Sequence, residues 1–263
     1  MDFQGKVVVV TGAGSGMGRT LSLGLVERGA QVAGIDLHGD TLAETAGLAE
    51  AAFAAFPLDI TDAQAVQALP NKIASKIGPV DAIINCAGII QPFVRLKDLD
   101  DAAIRRVMDV NFYGTLAMTR AFLPGLLERP EGLVANISSM GGLLPVPGQT
   151  VYGASKAAVK LMTEGLTAEL QDTSVKVSVI YPGAVATNIA ENSGVHIDTD
   201  GGGTALAAAE AARVILHGLE KDQPRILVGK DARMMDRLYR LNPVRAMRLI
   251  AKKMASLLGP DSG

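Results

Sequence analysis

The chain has 263 residues, 48% of them hydrophobic, and 25 Lys and Arg against 27 Asp and Glu give a net charge of −2. With a mean hydropathy of +0.26 and a pI of about 5.9, this excludes a disordered or fibrous chain and the broad basic field of a nucleic-acid binder. One cysteine, Cys86, allows no internal disulfide, His38, His196 and His217 have no metal-ligand spacing, and no apolar run approaches the roughly 18 residues that cross a bilayer.

Val7 to Val10 is a run of β-branched residues, followed at once by Gly12, Gly14, Gly16 and Gly18 and a helical stretch through Val26, which predicts strand, tight turn, helix. The alternation continues with a strand at 31–35, a helix at 40–50, a strand at 52–56, a helix at 62–77 and a strand at 80–85. A long helical region at 98–127, a strand at 133–138, a helix at 152–170, a strand at 175–180, a helix at 207–219 and a strand at 225–228 complete the series. Strands that run apolar without alternation are covered on both faces, and helices between successive strands supply that cover, so the sheet should be parallel. The expected fold class is α/β, Rossmann-type and doubly wound, with a seven-stranded parallel sheet flanked by helices. The pattern fits a single domain over 1–263, with a core at 5–230 and a helical tail at 231–263. Only 188–204, with Gly201-Gly202-Gly203 near its end, reads as a mobile loop. No export signal precedes the first strand, and with an unpaired cysteine this points to the cytoplasm.

In such folds ligands gather at the carboxyl ends of the strands. Glycines after the first strand can take positive φ and let backbone N–H groups approach a pyrophosphate at a helix N-terminus. The G-x-G-x-x-G spacing fails, because Met17 or Arg19 stands where its last glycine belongs; the pattern present is T-G-x-x-x-G-x-G over Thr11 to Gly18. Asp36 ends the second strand 20 residues after Gly16, where an acid accepts from adenosine ribose hydroxyls and repels a 2′-phosphate. Neither Ser15 nor Leu37 supplies a cation to hold such a phosphate, so NAD is expected rather than NADP.

Tyr152-Gly-Ala-Ser-Lys156 places a phenol and an ammonium on one face of a helix. A phenol titrates near 10, and an adjacent cation favours the phenolate, bringing it toward the range where it exchanges protons. Asn136-Ile137-Ser138-Ser139 closes the fifth strand, and Tyr152 follows Ser139 by 13 residues. With these motifs in this order the sequence resembles the short-chain dehydrogenase/reductase family, through Thr11 to Gly18, Asn85-Cys86-Ala87-Gly88, Asn111, Ser139, Tyr152-x-x-x-Lys156 and Pro182-Gly183, over residues 5–230. The resemblance implies that Ser139 holds the substrate oxygen, Tyr152 passes its proton, Lys156 binds the nicotinamide ribose and Asn111 holds a water in a proton relay. It implies cofactor contacts from Gly12, Ser15, Gly16, Met17 and Gly18, from Asp36, Leu37, Asp59 and Ile60, and from Asn85, Ala87 and Gly88. Tyr152, Lys156, Pro182, Gly183, Val185 and Thr187 complete that set. Cys86 departs from the second Asn many relatives carry, and reads as a small apolar residue.

The substrate pocket should come from Gly141, Leu143, Leu144, Val146, Gln149 and Ile189, a mostly apolar set that suits a hydrophobic secondary alcohol or ketone. Beyond Gly229, 34 residues remain. Two amphipathic helices broken at Pro243 should gather Met234, Met235, Leu238, Leu241, Met247, Leu249, Ile250 and Met254 on one face, with the basic residues on others. Such a tail fits packing over the substrate entrance or a neighbouring subunit better than contact with a membrane surface. The expected protein is an NAD-dependent alcohol dehydrogenase or ketone reductase without a metal, a homotetramer or homodimer as the family resemblance implies. The alternatives are a dinucleotide-sensing protein without catalysis and an NADP-dependent ketone reductase.

Overall fold

The computed structural model describes residues 1–195 and 205–253. Strand β1 (Val7–Thr11) is buried along its whole length. Alternate residues of a strand point to opposite faces, and here both faces are covered. Val7 and Val9 join Val66, Leu69, Ile73, Met118 and Phe122, whereas Val8 and Val10 join Leu21, Leu25, Ile215 and Leu216. The remaining strands are β2 (Gln31–Asp36), β3 (Phe53–Pro57), β4 (Ala82–Asn85), β5 (Gly132–Ile137), β6 (Val175–Pro182), β7 (Val185–Ala186), β8 (Leu206–Ala207) and β9 (Arg225–Val228). Seven of them form a parallel sheet in the order β3-β2-β1-β4-β5-β6-β9, the Rossmann-like architecture expected. The chain winds outward from β1 to β3 and then restarts at β4 on the other side of β1. That reversal opens a crevice between the carboxyl ends of β1 and β4. The small pair β7 and β8 was not anticipated.

The helices are α1 (Gly16–Val26), α2 (Gly39–Ala49), α3 (Ala63–Ile77), α4 (Asp101–Met108), α5 (Thr115–Leu127), α6 (Thr150–Glu169), α7 (Ile189–Asn192), α8 (Ala208–Glu220), α9 (Lys230–Leu241) and α10 (Pro243–Lys253). The helical region expected at 98–127 is divided: a π-helical turn, Asp109–Gly114, separates α4 from α5. Gly114 passes so close to Ile60 that a Cβ there would lie 2.7 Å from Ile60 Cδ1, and the wider turn lets Asn111 reach back to β4's outgoing chain. Of the loop expected at 188–204, residues 189–192 form α7, and 196–204 with His196 lie outside the described residues.

The tail breaks at Pro243 as expected, but its apolar residues do not share one face. Ala232, Met235, Leu238, Ala246 and Ile250 pack with Met140, Leu144, Val179 and Tyr181, whereas Met234, Leu241, Met247 and Leu249 are exposed. At 100° per residue, Met234 and Leu241 fall on the side of α9 opposite Ala232 and Asp236. Met254 lies outside the described residues. Buried Asp236 fixes α9 to the sheet edge through Arg225 at 2.6 Å. Among the described residues no helix is long and apolar enough to cross a membrane, and no cluster of His, Cys, Asp or Glu could hold a metal ion.

Candidate active site

Between β1 and α1 the chain turns through Gly12, whose φ of +69° disfavours any side chain and where a Cβ would lie 3.0 Å from Ala87 Cα. The hydroxyl of Thr11 accepts from the amides of Cys86 and Ala87, both at 3.0 Å, stitching the two sides of the crevice together. The Gly14 amide donates to one Asp36 oxygen at 2.9 Å and the His38 amide to the other at 3.0 Å. Asp36 is thereby aimed into the crevice, and a Cβ on Gly14 would lie 2.9 Å from its carboxylate. Arg19 donates to the Gly14 carbonyl at 2.5 Å and to Thr45 at 3.0 Å, clasping the turn to α2.

The result is a groove of about 550 Å³ lined by Gly12, Ser15, Gly16, Met17, Gly18, Asp36, Leu37, Asp59, Ile60, Ala87, Gly88 and Thr187. A glycine backbone at a helix N-terminus with a carboxylate at the end of the next strand fits a dinucleotide, with phosphates on the amides and ribose on Asp36. Asn85 does not line this groove. Its side chain is buried beneath it, donating to Thr119 Oγ1 at 3.1 Å and Asn136 Oδ1 at 2.8 Å. Pro182, Gly183 and Val185 also stand back from it: Gly183 packs on the carboxylate of Asp231, which accepts from the Ala184 amide at 2.9 Å. Two residues that sequence reasoning passed over, Arg105 and Arg106, line the groove from α4. With Ala102 and Asp109 they recur at helical spacing, but only the packing of α4 shows which face meets the groove.

Helix α6 carries Tyr152 in its first turn. Its ring and the hydroxyl of Ser139 meet around Gly141, where a Cβ would lie 3.2 Å from the ring and 3.4 Å from Ser139 Oγ, and that hydroxyl accepts from the Gly141 amide at 3.0 Å. Buried Lys156 donates from Nζ to the Ile137 carbonyl at 3.0 Å. A Cβ on Gly88 would lie 3.0 Å from that Nζ and 3.2 Å from Asn111 Oδ1, so both side chains reach the rim of the groove. Asn111 accepts from the Ile89 amide at 2.8 Å and donates to the Ile89 carbonyl at 2.9 Å and to Ser155 Oγ at 3.0 Å.

Burial pushes the Tyr152 phenol above its ordinary value, with the Ser139 hydrogen bond pulling the other way. Burial likewise pushes Lys156 down to about 8, against a smaller opposing effect of Cys86. Desolvation disfavours both charged forms, and the pull toward the phenolate comes from Ser139 and not, as expected, from Lys156. The Cys86 thiol is pushed up to about 12, chiefly by burial, and stays protonated at neutral pH.

Five expected pocket residues, Gly141, Leu143, Leu144, Val146 and Gln149, line a second cavity of about 500 Å³ together with Gly153, Ala154, Ala157, Met247 and Ala251. Positions 150, 153, 154 and 157 share the face of α6 turned away from Tyr152 and Lys156, so the Gly141–Gly142 turn stands between this cavity and the phenol. Gly141 borders both sides, as a Cβ there would lie 3.2 Å from the Tyr152 ring. Ile189 lies at the groove instead.

The sequence matches the short chain dehydrogenase family over residues 6–197. It is 38% identical over 268 residues to the oxidoreductase SadH of Mycobacterium tuberculosis, spanning 96% of both chains. A short chain dehydrogenase from Burkholderia cenocepacia, solved in complex with NADP, superposes with a TM-score of 0.82 at 28% identity over 95% of this chain and 99% of that one. A 3-ketoacyl-(acyl-carrier-protein) reductase from Brucella melitensis, complexed with NADH, gives a TM-score of 0.78 at 26% identity over 86% and 97%.

Proposed function

The chain belongs to the short-chain dehydrogenase/reductase family and is an NAD(P)-dependent oxidoreductase; from that premise we propose that it interconverts hydrophobic secondary alcohols and ketones with NAD(H). The observation that carries the reading is that Tyr152 and Ser139 converge beside Gly141, with Tyr152 on the helix whose Lys156 reaches the rim of a glycine-lined groove. When bound, the dinucleotide accepts or supplies the hydride. Ser139 holds the substrate oxygen, and Tyr152 takes the hydroxyl proton in oxidation and returns it in reduction. Lys156 holds the nicotinamide ribose and, while protonated, favours the phenolate. Asn111 anchors the Ile89 chain behind it and holds the relay water.

Asp36 supports NAD over NADP by accepting from ribose hydroxyls and repelling a 2′-phosphate. Arg105 and Arg106 on the groove wall favour the second reading, an NADP-dependent reductase, because a guanidinium fork suits a phosphate. The apolar side chains of Ile89 and Ile189 in the groove support a lipophilic substrate. Exposed Leu127 on α5 and Leu161 on α6 support a homotetramer built on these helices, and the lone unpaired thiol supports a cytoplasmic setting. The test is NADH and NADPH formation at 340 nm across a panel of lipophilic secondary alcohols. Turnover with NAD supports the reading, and tight NADH binding without turnover on any alcohol or ketone would identify a sensor.

A further inference from the structure

We propose that Gln91 is a positioning residue for Tyr152, holding the first turn of α6 in register with the rim of the groove. The inference rests on the reaction proposed above. A helix leaves its first four N–H groups without partners inside the helix, and a Ser, Thr, Asp or Asn at the cap position ordinarily accepts from them. The residue at that position of α6 is Gln149, whose side chain caps nothing. The cap arrives from a segment 60 residues away: Gln91 Oε1 accepts from the amide of Val151 at 2.8 Å and of Tyr152 itself at 2.9 Å.

The rest of that side chain is committed as well. Gln91 is 1% exposed, and its Nε2 donates to the Gly148 carbonyl at 2.9 Å. Gln149 in turn donates to the Gln91 carbonyl at 2.6 Å. Gln149 is 4% exposed, and its Oε1 has no hydrogen-bond partner. This amide pair, not a substrate, holds the Gln149 donor. Burying two long polar side chains costs more rotamer freedom and desolvation than a local Ser or Asp cap would, so capping alone does not account for it.

What a remote cap adds is location. The chain running from Gly88 to Gln91 is fixed at three points: Ile89 to Asn111 at 2.8 and 2.9 Å, the Ile90 amide to Ser193 Oγ at 2.9 Å, and Gln91 to α6. Gly88 forms the groove wall and Tyr152 opens α6, so Gln91 is a strut between the surface that would hold the nicotinamide end and the phenol that would work on the substrate. A displacement of about 1 Å between such groups costs on the order of a hundredfold in rate.

The test uses the full chain with two variants, Gln91→Met and Gln91→Glu. Methionine fills the space and makes none of the bonds. Glutamate keeps an acceptor for both amides, puts an oxygen where Nε2 donated to the Gly148 carbonyl, and adds a negative charge on the turn that carries the phenol, which raises the pH at which it ionises. Gln91→Met is expected to lose about ten- to a hundredfold in kcat, with NADH affinity by fluorescence titration near wild type and a lowered melting temperature, because the Val151 and Tyr152 amides and the Gly148 carbonyl lose their partner. Gln91→Glu should recover much of that rate, with the midpoint of its rate against pH moved up by about half a unit or more. A folded Gln91→Met with wild-type kcat overturns the inference, as does a Gln91→Glu midpoint that does not move, which leaves only a structural cap. Should Gln91→Met not fold, the Gln91→Glu profile decides. A wild-type chain that binds NADH and turns over nothing in the panel sinks the proposed reaction and this inference together, whereas wild-type turnover with an indifferent Gln91 sinks this inference alone.

Discussion

Burial disfavours the charged forms of Tyr152 and Lys156 alike, and this fixes the direction of the pH responses. Oxidation needs the phenolate as base, so its rate should climb as pH rises above neutrality, while ketone reduction, which needs the phenol, declines over the same interval; initial rates in both directions check this. Tyr152→Phe should lower kcat by about a thousandfold or more, with NADH still titrating as in wild type. Lys156 carries a stability effect too. Its folded value of about 8 lies below the ordinary 10.5, so between these pH values the unfolded chain holds the proton that the native chain has released. Stability should therefore rise with pH across that window, and the cost of the buried ammonium is present in full below it. Lys156→Met should then raise the melting temperature at pH 7 by the equivalent of about 1–2 kcal/mol, after allowing for the orphaned Ile137 carbonyl, while removing most activity. For coenzyme choice, Asp36→Ala should reduce the NAD-to-NADP ratio of kcat/KM by about tenfold or more. An unchanged ratio would assign the choice to Arg105 and Arg106.

The elements were legible where local chemistry decides them. Val7 to Thr11 is all β-branched and buried, the glycines that follow permit the turn, and Asp62 caps α3 by accepting from the Gln64 and Ala65 amides. The π-helical turn at Asp109–Gly114 was not legible, because its residue types suit an ordinary helix and its causes are distant: the approach of Gly114 to Ile60 and the two hydrogen bonds between Asn111 and Ile89. Gln91 was invisible for the same reason, since a side chain that caps a helix 60 residues away leaves no spacing signal. The juxtaposition of Tyr152 and Lys156 was legible because they are four apart on one helix, whereas the pocket residues were read without knowing which face of α6 they would meet. Asn111→Leu tests the turn. It leaves both polar groups of Ile89 and the Ser155 hydroxyl short of a partner, and should cost about 2–4 kcal/mol in denaturant unfolding.

The whole molecule adds a constraint that neither residue nor element carries, in the way the tail closes the sheet edge. Ala246 is fully buried and Ile250 4% exposed, and both pack with Met140 and Leu144, on the turn that follows Ser139. From the same tail, Asp231 accepts from the Ala184 amide just after β6. The tail therefore buttresses two loops of the site from behind, and its exposed Arg233, Arg237, Arg245 and Arg248 keep the outer surface wet. A buttress and a lid over the substrate entrance predict different kinetics. Loss of a lid raises KM for bulky apolar substrates and leaves small ones alone; loss of a buttress lets Ser139 drift and lowers kcat for every substrate alike. Truncation after Gly229 would expose Met140, Leu144, Val179 and Tyr181 and invite aggregation, so the cleaner variant is Ala246→Asp, which places a carboxylate where nothing is arranged to pair with it. It should destabilise the chain by about 3 kcal/mol or more. Assayed on the fraction that remains folded, it should depress kcat by a similar factor across the alcohol panel with KM nearly constant, and a KM increase confined to the largest substrates would instead make the tail a lid.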